Sequence, residues 1–548
     1  MISRWSDAEA QAFAASHPDC PEILALRTYS SRLIGSDPSL VLHGGGNTSA
    51  KGTVVDRFGK SISVMWIKGS GGDLATIGPE GHPAVRLEQL SLLKTLNQLT
   101  DEDMVNELRL AQLDHKAPTP SIEALVHAFL PFPFVDHSHA DAILALVNQP
   151  DAERICQKIY GVRYAIIPWI MPGFLLSKAA ALAVQKNPQL EGLILLQHGI
   201  FTFGDTAKES YERMIAAVTA AEKFIASPPT PSPPRLPAEE GAMERSKKSD
   251  YPAWDPSRVR LLPCLRGLLT DMQRPESPRP PVLHVRNSDQ IQNFLTHEKL
   301  TEWSQIGPAT PDHVIRTKPL PLVLANPNGF TNLADWKTDA LQKLNHYIES
   351  YSAYFKRECV AHGVSKTMID PYPRVILIPG IGLVTGAQSE TAAIIAADVY
   401  EHTCGIILDS FAVGGYQPLD LHALFEMEYW SLEQAKLKSQ VEKPCSRQVV
   451  LVSGAGSGIG SASAERFASE GAHLVLLDLV AERVEAAAKN ITKKYKTACL
   501  GIAADVTDAK QLSSAIAQGI SRFGGLDIVV CNAGKAYSGP LDENPAQL

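Results

Sequence analysis

The chain has 548 residues, 45% hydrophobic and 20% charged, with a formal net charge of −8. That balance describes a folded protein with substantial cores, long enough for about three domains of ordinary size. Net negative charge argues against a nucleic-acid or anionic-membrane partner, because both need concentrated positive charge, so any phosphate must be captured locally. The eight cysteines are scattered singly without a CxxC pair, which points away from a disulfide framework or zinc ribbon and toward a reducing, cytoplasmic setting. The N-terminal MISRWSDAEAQAF is acidic and amphipathic, and no uninterrupted apolar stretch of spanning length is read, so no membrane association is expected.

The first informative stretch is LHGGGNTSAKG at 42–52. Its glycines let the backbone turn with amides exposed, a concave anion site to which Asn47 adds a neutral donor. KGSGGDL at 68–74 is a second turn of the same kind through Gly69, Ser70 and Gly71, and both runs are also compatible with plain hairpin turns. TPSIEALVHAF reads as a helix start, with Ser121 as cap, Glu123 in the first turn, and Val126, His127 and Leu130 at helical spacing.

FVDHSHADA at 134–142 places His137 and His139 one residue apart in an apolar run. On a strand, which Phe134, Val135 and the apolar Ile143–Val147 allow, alternation sends both to one face; on a helix they would splay about 200° apart. GLILLQHGIFTFGD at 192–205 then reads as a buried strand delivering His198 at its end, before Gly199. Three neutral imidazoles suit zinc, although another divalent transition metal could replace it, and three protein ligands leave a coordination position open. A carboxylate near such a metal, here Glu123, would carry protons.

Residues 227–250 combine prolines with charges and read as an exposed connector, closing a first unit at 1–226. A middle unit, 251–440, carries an internal echo: RVILIPGIGLVTGAQSETAAIIAADVYEHT at 374–403 parallels the stretch from Gly192, both reading strand, glycine turn, helix. Aligned without a gap, His198 falls on Gly380, so the second copy would lack the third ligand; no chemistry is visible in this unit.

After a break at 438–447, a final unit at 446–548 opens with RQVVLVSGAGSGIGSASAERFASEGAHLVLLD, a strand, glycine turn, helix and strand ending in an acid. Gly454, Gly458 and Gly460, with Ile459 between the last two, let a pyrophosphate approach the helix N-terminus. Asp478 would bond the ribose hydroxyls and repel a 2′-phosphate, favouring NAD over NADP.

In order and spacing, Glu123, the pair His137 and His139, the QHG histidine His198, and Asn47, Ser49 and Lys51 of the GNxSxK stretch resemble the class II aldolase/adducin family. The resemblance implies an α/β fold, zinc on the three histidines, Glu123 as the acid/base, and a ketose phosphate held through Asn47, Gly69, Ser70, Gly71 and Ser121. The last unit resembles the short-chain dehydrogenases, extended by AADVTD, whose Asp505 would meet the adenine edge, and by CNAG, which contributes Asn532, Ala533 and Gly534.

GPATPDHVIRTK and FEMEYWSLEQAKL look like the middle segment of bacterial two-activity proteins that fuse these families. Such proteins imply rhamnulose 1-phosphate as substrate, glycerone phosphate and lactaldehyde as products, and a homo-oligomer. The dehydrogenase family also needs a serine on the next strand and a Tyr-xxx-Lys on the next helix. Tyr537 is followed four residues on by Leu541, so this Rossmann unit is expected to be truncated, as a fragment or a remnant, with oxidoreductase activity only in a longer form. Two other classes remain compatible: a dehydrogenase with the first 440 residues as scaffold, and a non-catalytic adducin-like module.

Overall fold

A computed structural model describes residues 1–227, 256–270, 279–437 and 442–534. The expected connector beyond Ser227, part of the break at 438–447, and Tyr537 lie outside the described residues. The fold is α/β in three sheets, as expected. The first contains β1 (Asn47–Val55), β2 (Ser61–Ile67), β3 (Ala84–Arg86), β4 (Phe134–Ser138), β5 (Tyr164–Ile167), β6 (Gly192–Leu195) and β7 (Gly199–Gly204). Their order is β3-β2-β1-β4-β7-β6-β5, antiparallel throughout except for β5 with β6. Strand β4 is therefore central and buried along its whole length, with helices covering the sheet. A buried ion pair anchors it from behind: Arg27 meets Asp136 at 2.6 Å, and the Ser210 hydroxyl donates to the same carboxylate at 2.5 Å.

The apolar run Ile143–Val147 does not extend that strand. It belongs to the helix Asp141–Val147, buried from Ile143 to Val147. A short apolar run fits a buried helix as well as a strand, and here Ala140 breaks the strand geometry at φ −58° and ψ 132° before the helix opens.

The second sheet holds β8 (Val282–Arg286), β9 (Leu322–Val323), β10 (Val375–Ile378) and β11 (Gly382–Ala387), in the order β8-β11-β10-β9. Order and strand directions reproduce β4-β7-β6-β5. The copy is one residue out of step with the gap-free alignment. Gly199 corresponds to Gly382, each opening its strand, and Thr206 corresponds to Ser389, each capping the following helix. The Thr202 hydroxyl donates to the Ser210 carbonyl at 3.0 Å, and Thr385 to Ala393 at 2.7 Å. In this register Gly380 matches Gln197, both at positive φ, and His198 matches Ile381. Cross-strand pairing then sets Phe134 opposite Gly204 as Val282 is opposite Ala387, so His137 and His139 correspond to Val285 and Asn287. The middle unit is a repeat of the first in which no ligand position survives.

Its helix Glu390–Val413 is long and apolar enough to cross a membrane, a length and composition the sequence reading missed. It packs against β8, β11 and the helix Asp141–Val147. A helix lying between two domains has apolar contacts on several sides, which accounts for its composition.

The third sheet contains β12 (Val449–Ser453), β13 (His473–Asp478), β14 (Cys499–Ala503) and β15 (Ile528–Val530), all parallel in the order β14-β13-β12-β15. The order reverses between β12 and β15, the switch point where open α/β sheets bind ligands.

Several histidines are buried in these cores. Burial lowers His82 to about 3 and His473 to about 4. Both lie below the value of about 6.5 in an unfolded chain. Below pH 6.5 the unfolded chain takes up protons that the folded chain does not, so their contribution is present above that pH and lost as pH falls toward 4. At pH 5 each is expected to cost about 2 kcal/mol of stability. Urea denaturation at pH 7.5 and pH 5 checks this: His473→Gln should flatten the pH dependence of the transition that melts the third sheet, and an unchanged slope would refute the assignment.

Candidate active site

Strand β4 ends at Ser138, so His137 lies in the strand and His139 immediately beyond it. Their Nε2 atoms are nevertheless 3.0 Å apart, on one side as alternation requires. His198 sits in the tight turn between β6 and β7 rather than at a strand end, and the positive φ of Gln197 makes that turn. The His137 and His198 ring centroids are 5.1 Å apart, those of His139 and His198 5.3 Å. One ligand nitrogen from each of the three lies within 4.8 Å of the others, and all three residues are buried. Gly199 permits this approach, since a Cβ there would lie 2.5 Å from the Ser138 carbonyl and 3.0 Å from the His139 ring.

The His137 ring is held ready to donate a lone pair. The Nδ1 of His137 lies 2.9 Å from the Ile200 carbonyl, so it carries the proton and Nε2 is free; Phe201 stacks on the same ring at 4.1 Å. Neither ring nitrogen of buried His198 has a hydrogen-bond partner. Burial pushes His137 down and His139 well below the ordinary histidine range, favouring neutral imidazoles. The His137–His139 separation is within a few tenths of an ångström of that made by two ligands each about 2.0–2.1 Å from one ion. The donor set therefore fits a divalent metal, which would satisfy one of the two orphaned His198 nitrogens.

Glu123 is not in the first turn of a helix. It is the cap of the helix Ala124–Phe129, at φ −90° and ψ 9°, because the turn Ser121–Glu123 closes first. Its oxygens lie 3.5 Å from Nε2 of His137 and 3.5 Å from Nε2 of His198, and Oε1 is buried without a hydrogen-bond partner. Asn47 donates to its Oε2 at 2.5 Å and to the Ser121 hydroxyl at 3.3 Å, while His127 bonds the Asn47 carbonyl oxygen. The relay His127–Asn47–Glu123 was not foreseen, although His127 follows Glu123 by one helical turn.

Among the expected phosphate residues, Asn47 and Ser121 are together beside Glu123, but the glycine turns offer fewer amides than expected. The Gly69 amide donates to the Gly81 carbonyl at 2.9 Å and that of Ser70 to Thr119 at 2.8 Å; Gly71 is exposed at φ +74°. Lys68 was also missed. Its ammonium donates to the carbonyls of Gly44, Gly45 and Gly46 at 2.5, 3.3 and 2.8 Å, clamping the first glycine loop from below. Lys51 points away from the site to the Leu130 and Phe132 carbonyls, and burial lowers it to about 7.

In the third sheet the helix Gly458–Ser469 starts directly after the glycine turn, leaving Ile459 79% exposed at its mouth. Gly460 has no room for a side chain, because a Cβ would sit 2.2 Å from the Gly454 carbonyl. Asp478 ends β13, its Oδ2 accepting the Gly456 amide at 2.9 Å and thereby bracing the loop. Asn532 donates to the Ser453 and Gly454 carbonyls at 3.0 and 3.3 Å, and the Ala533 amide to the Ser453 hydroxyl at 3.0 Å, with Gly534 following. Asp505 accepts from the Thr507 amide and hydroxyl at 2.9 and 2.7 Å in the turn after β14.

A cation-ready imidazole triad beside a buried glutamate, joined to a glycine-loop Rossmann sheet, defines a two-part enzyme of aldolase and dehydrogenase type. Residues 28–225 match the class II aldolase and adducin N-terminal domain, 256–437 the aldolase class II second domain, and 448–547 the short chain dehydrogenase family. An uncharacterized oxidoreductase of Bacillus subtilis, YuxG, is 35% identical over 531 residues, covering 94% of this chain and 73% of its own length. The chain belongs to the family that fuses class II aldolase domains to a short-chain dehydrogenase domain. Trans-4-hydroxycyclohexanecarboxylate dehydrogenase of Sinomonas cyclohexanicum is 33% identical over 110 residues, 19% of this chain and 42% of its own length. The N-terminal class II aldolase domain of a conserved protein from Thermoplasma acidophilum is 40% identical, covering 41% of this chain and 99% of that one, with a TM-score of 0.36.

Proposed function

We propose that the first domain is a zinc-dependent aldolase that cleaves a ketose 1-phosphate, with rhamnulose 1-phosphate as the first candidate, to glycerone phosphate and lactaldehyde. The observation that carries this reading is the convergence of His137, His139 and His198 around the buried carboxylate of Glu123, 3.5 Å from two of the three rings. His137, His139 and His198 would hold a divalent ion, which would supply Lewis-acid polarisation of the ketose carbonyl. Glu123, oriented by Asn47, moves a proton at C3, the carbon left carrying charge when C3–C4 breaks. Asn47 spends its amide on Glu123 and the Ser121 hydroxyl, so the donor turned toward the phosphorylated half is the Ser121 hydroxyl, and the turn at Gly69–Gly71 closes the same side.

The test is metal analysis of purified protein combined with a cleavage assay. Chelation should abolish release of glycerone phosphate and added zinc should restore it. Protein that binds no transition metal, or that cleaves as fast after chelation, would remove the aldolase reading.

We further infer that the third sheet holds the adenosine and pyrophosphate of NAD, with the acid at the end of β13 disfavouring a 2′-phosphate. Hydride transfer in the resembling dehydrogenases uses a Tyr-xxx-Lys pair, and residues 446–548 contain none. Oxidation or reduction of the aldehyde is proposed for a form of the protein that carries it.

A further inference from the structure

We propose that the middle domain carries a second divalent-metal site, formed by Glu358, His362 and His422 with Glu426 behind one ring, that takes up zinc reversibly and clasps two helices of that domain together. The proposal stands apart from the aldolase reading and uses none of the residues assigned to it.

Besides the triad, one other group of three metal-ligating side chains converges among the described residues. Glu358 lies in the last turn of the helix Leu333–Ala361, and His362 caps that helix four residues on, so both face one side. His422 and Glu426 repeat the spacing on the helix Leu421–Glu428. Each helix thus presents one imidazole and one carboxylate to the other. The imidazoles stack with centroids 3.9 Å and planes 13° apart, and Phe425 backs the His362 ring at 5.3 Å.

The oxygens and nitrogens are spaced for an ion. Ligand atoms each about 2.0–2.2 Å from one zinc stand about 3.3–3.6 Å apart in a tetrahedral site. Oε2 of Glu358 is 2.9 Å from Nδ1 of His422 and 4.0 Å from Nε2 of His362, separations that straddle that value. Arg357 occupies the other oxygen, Oε1, at 2.8 Å and so turns Oε2 toward the rings. Glu426 stands 3.5 Å from Nδ1 of His362, a carboxylate placed to hold the proton on Nδ1 and leave Nε2 to a metal. With the imidazoles neutral, two carboxylates against one guanidinium leave the cluster negative. Imidazole with carboxylate is a donor set that suits zinc. An entering ion exchanges two hydrogen bonds for coordination, one between His422 and Glu358 and one from Nε2 of His362 to the His422 carbonyl at 3.1 Å. That exchange, together with a His422 side chain that is 58% exposed, makes uptake reversible, so the site empties on dialysis.

The clasped helix bears on the first domain. Just before it, the Gln417 and Pro418 carbonyls accept from Gln197, the neighbour of His198, at 3.3 Å each. Within it, Leu424 and Met427 pack with Ile122, which adjoins Glu123. Just after it, the Trp430 indole donates to Asp101 at 2.5 Å, and elsewhere in the same interface Asn148 donates to the Ala309 carbonyl at 2.8 Å. An ion between the two helices therefore steadies an element on which the domains dock.

The experiment is calorimetric titration of dialysed full-length protein with zinc chloride at micromolar concentration. His198→Ala, with the triad broken, should still take up one zinc per chain, and wild type should show the same exchangeable uptake. His422→Ala should weaken that uptake by more than about 100-fold, and Glu426→Gln by about 10- to 100-fold, the usual cost of losing an orienting group. His346→Ala, at an exposed histidine elsewhere on the long helix, should leave it unchanged. Zinc should raise the melting temperature of wild type but not of His422→Ala. Circular dichroism checks folding; should His422→Ala not fold, Glu426→Gln, whose parent side chain is 48% exposed, decides alone. Absence of exchangeable zinc, uptake that survives His422→Ala, or an equal loss in His346→Ala, as adventitious binding to surface imidazoles would give, overturns the proposal.

Discussion

His198→Ala should lose both the bound divalent ion and all measurable cleavage. His198 is the one ligand delivered by the β6–β7 turn, and without it the site is reduced to two imidazoles from a single segment. Changes to groups that merely orient a ligand typically cost about 10- to 100-fold in metal affinity, so removal of a ligand should exceed that range. Because neither buried His198 nitrogen makes a hydrogen bond, alanine breaks none, and secondary structure should survive. Mass spectrometry of metal content after dialysis, beside a circular dichroism spectrum, reads both quantities. Retention of stoichiometric metal by a folded His198→Ala protein would mean that the ion sits elsewhere.

Glu123→Gln should have the opposite profile, with metal retained and turnover lost. Glutamine fills the same space and keeps an oxygen for the Asn47 amide, which donates to Oε2 at 2.5 Å. It cannot carry a proton. Turnover should fall about 10²-fold or more, the usual scale for a positioned acid/base. Steady-state cleavage of the zinc-loaded variant, at unchanged zinc content, is the measurement; near-normal turnover would take Glu123 out of the mechanism.

The clustering of His137, His139 and His198 was legible because imidazoles are rare in apolar segments, and the spacing of His137 and His139 has one geometric meaning on a strand. Misjudging Ile143–Val147 did no harm to that reading, since β4 alone sets the side on which both rings emerge. Glu123 was legible as a residue but not in its backbone setting, where a turn precedes the helix. The two amides spent in the second glycine turn were not legible, because a glycine run declares freedom of the backbone without declaring which hydrogen bonds use it. The repeat was visible as a pattern yet out of step by one residue, since apolar strands look alike under small shifts and it is the matched strand starts, helix caps and Thr202 and Thr385 hydroxyl bonds that fix the register.

The bonds from Asn148 and Gln197 to the middle domain also bear on how the enzyme responds to dilution. Where two separate chains share a site, it dissolves as their concentration falls below their affinity for each other. Here Gln197, beside His198, and the Gln417 and Pro418 carbonyls that hold it lie on one polypeptide, and tethering sustains an effective local concentration that does not depend on how much protein is in solution. The duplicated domain thus acts as a permanently bound neighbour, one that dilution cannot remove.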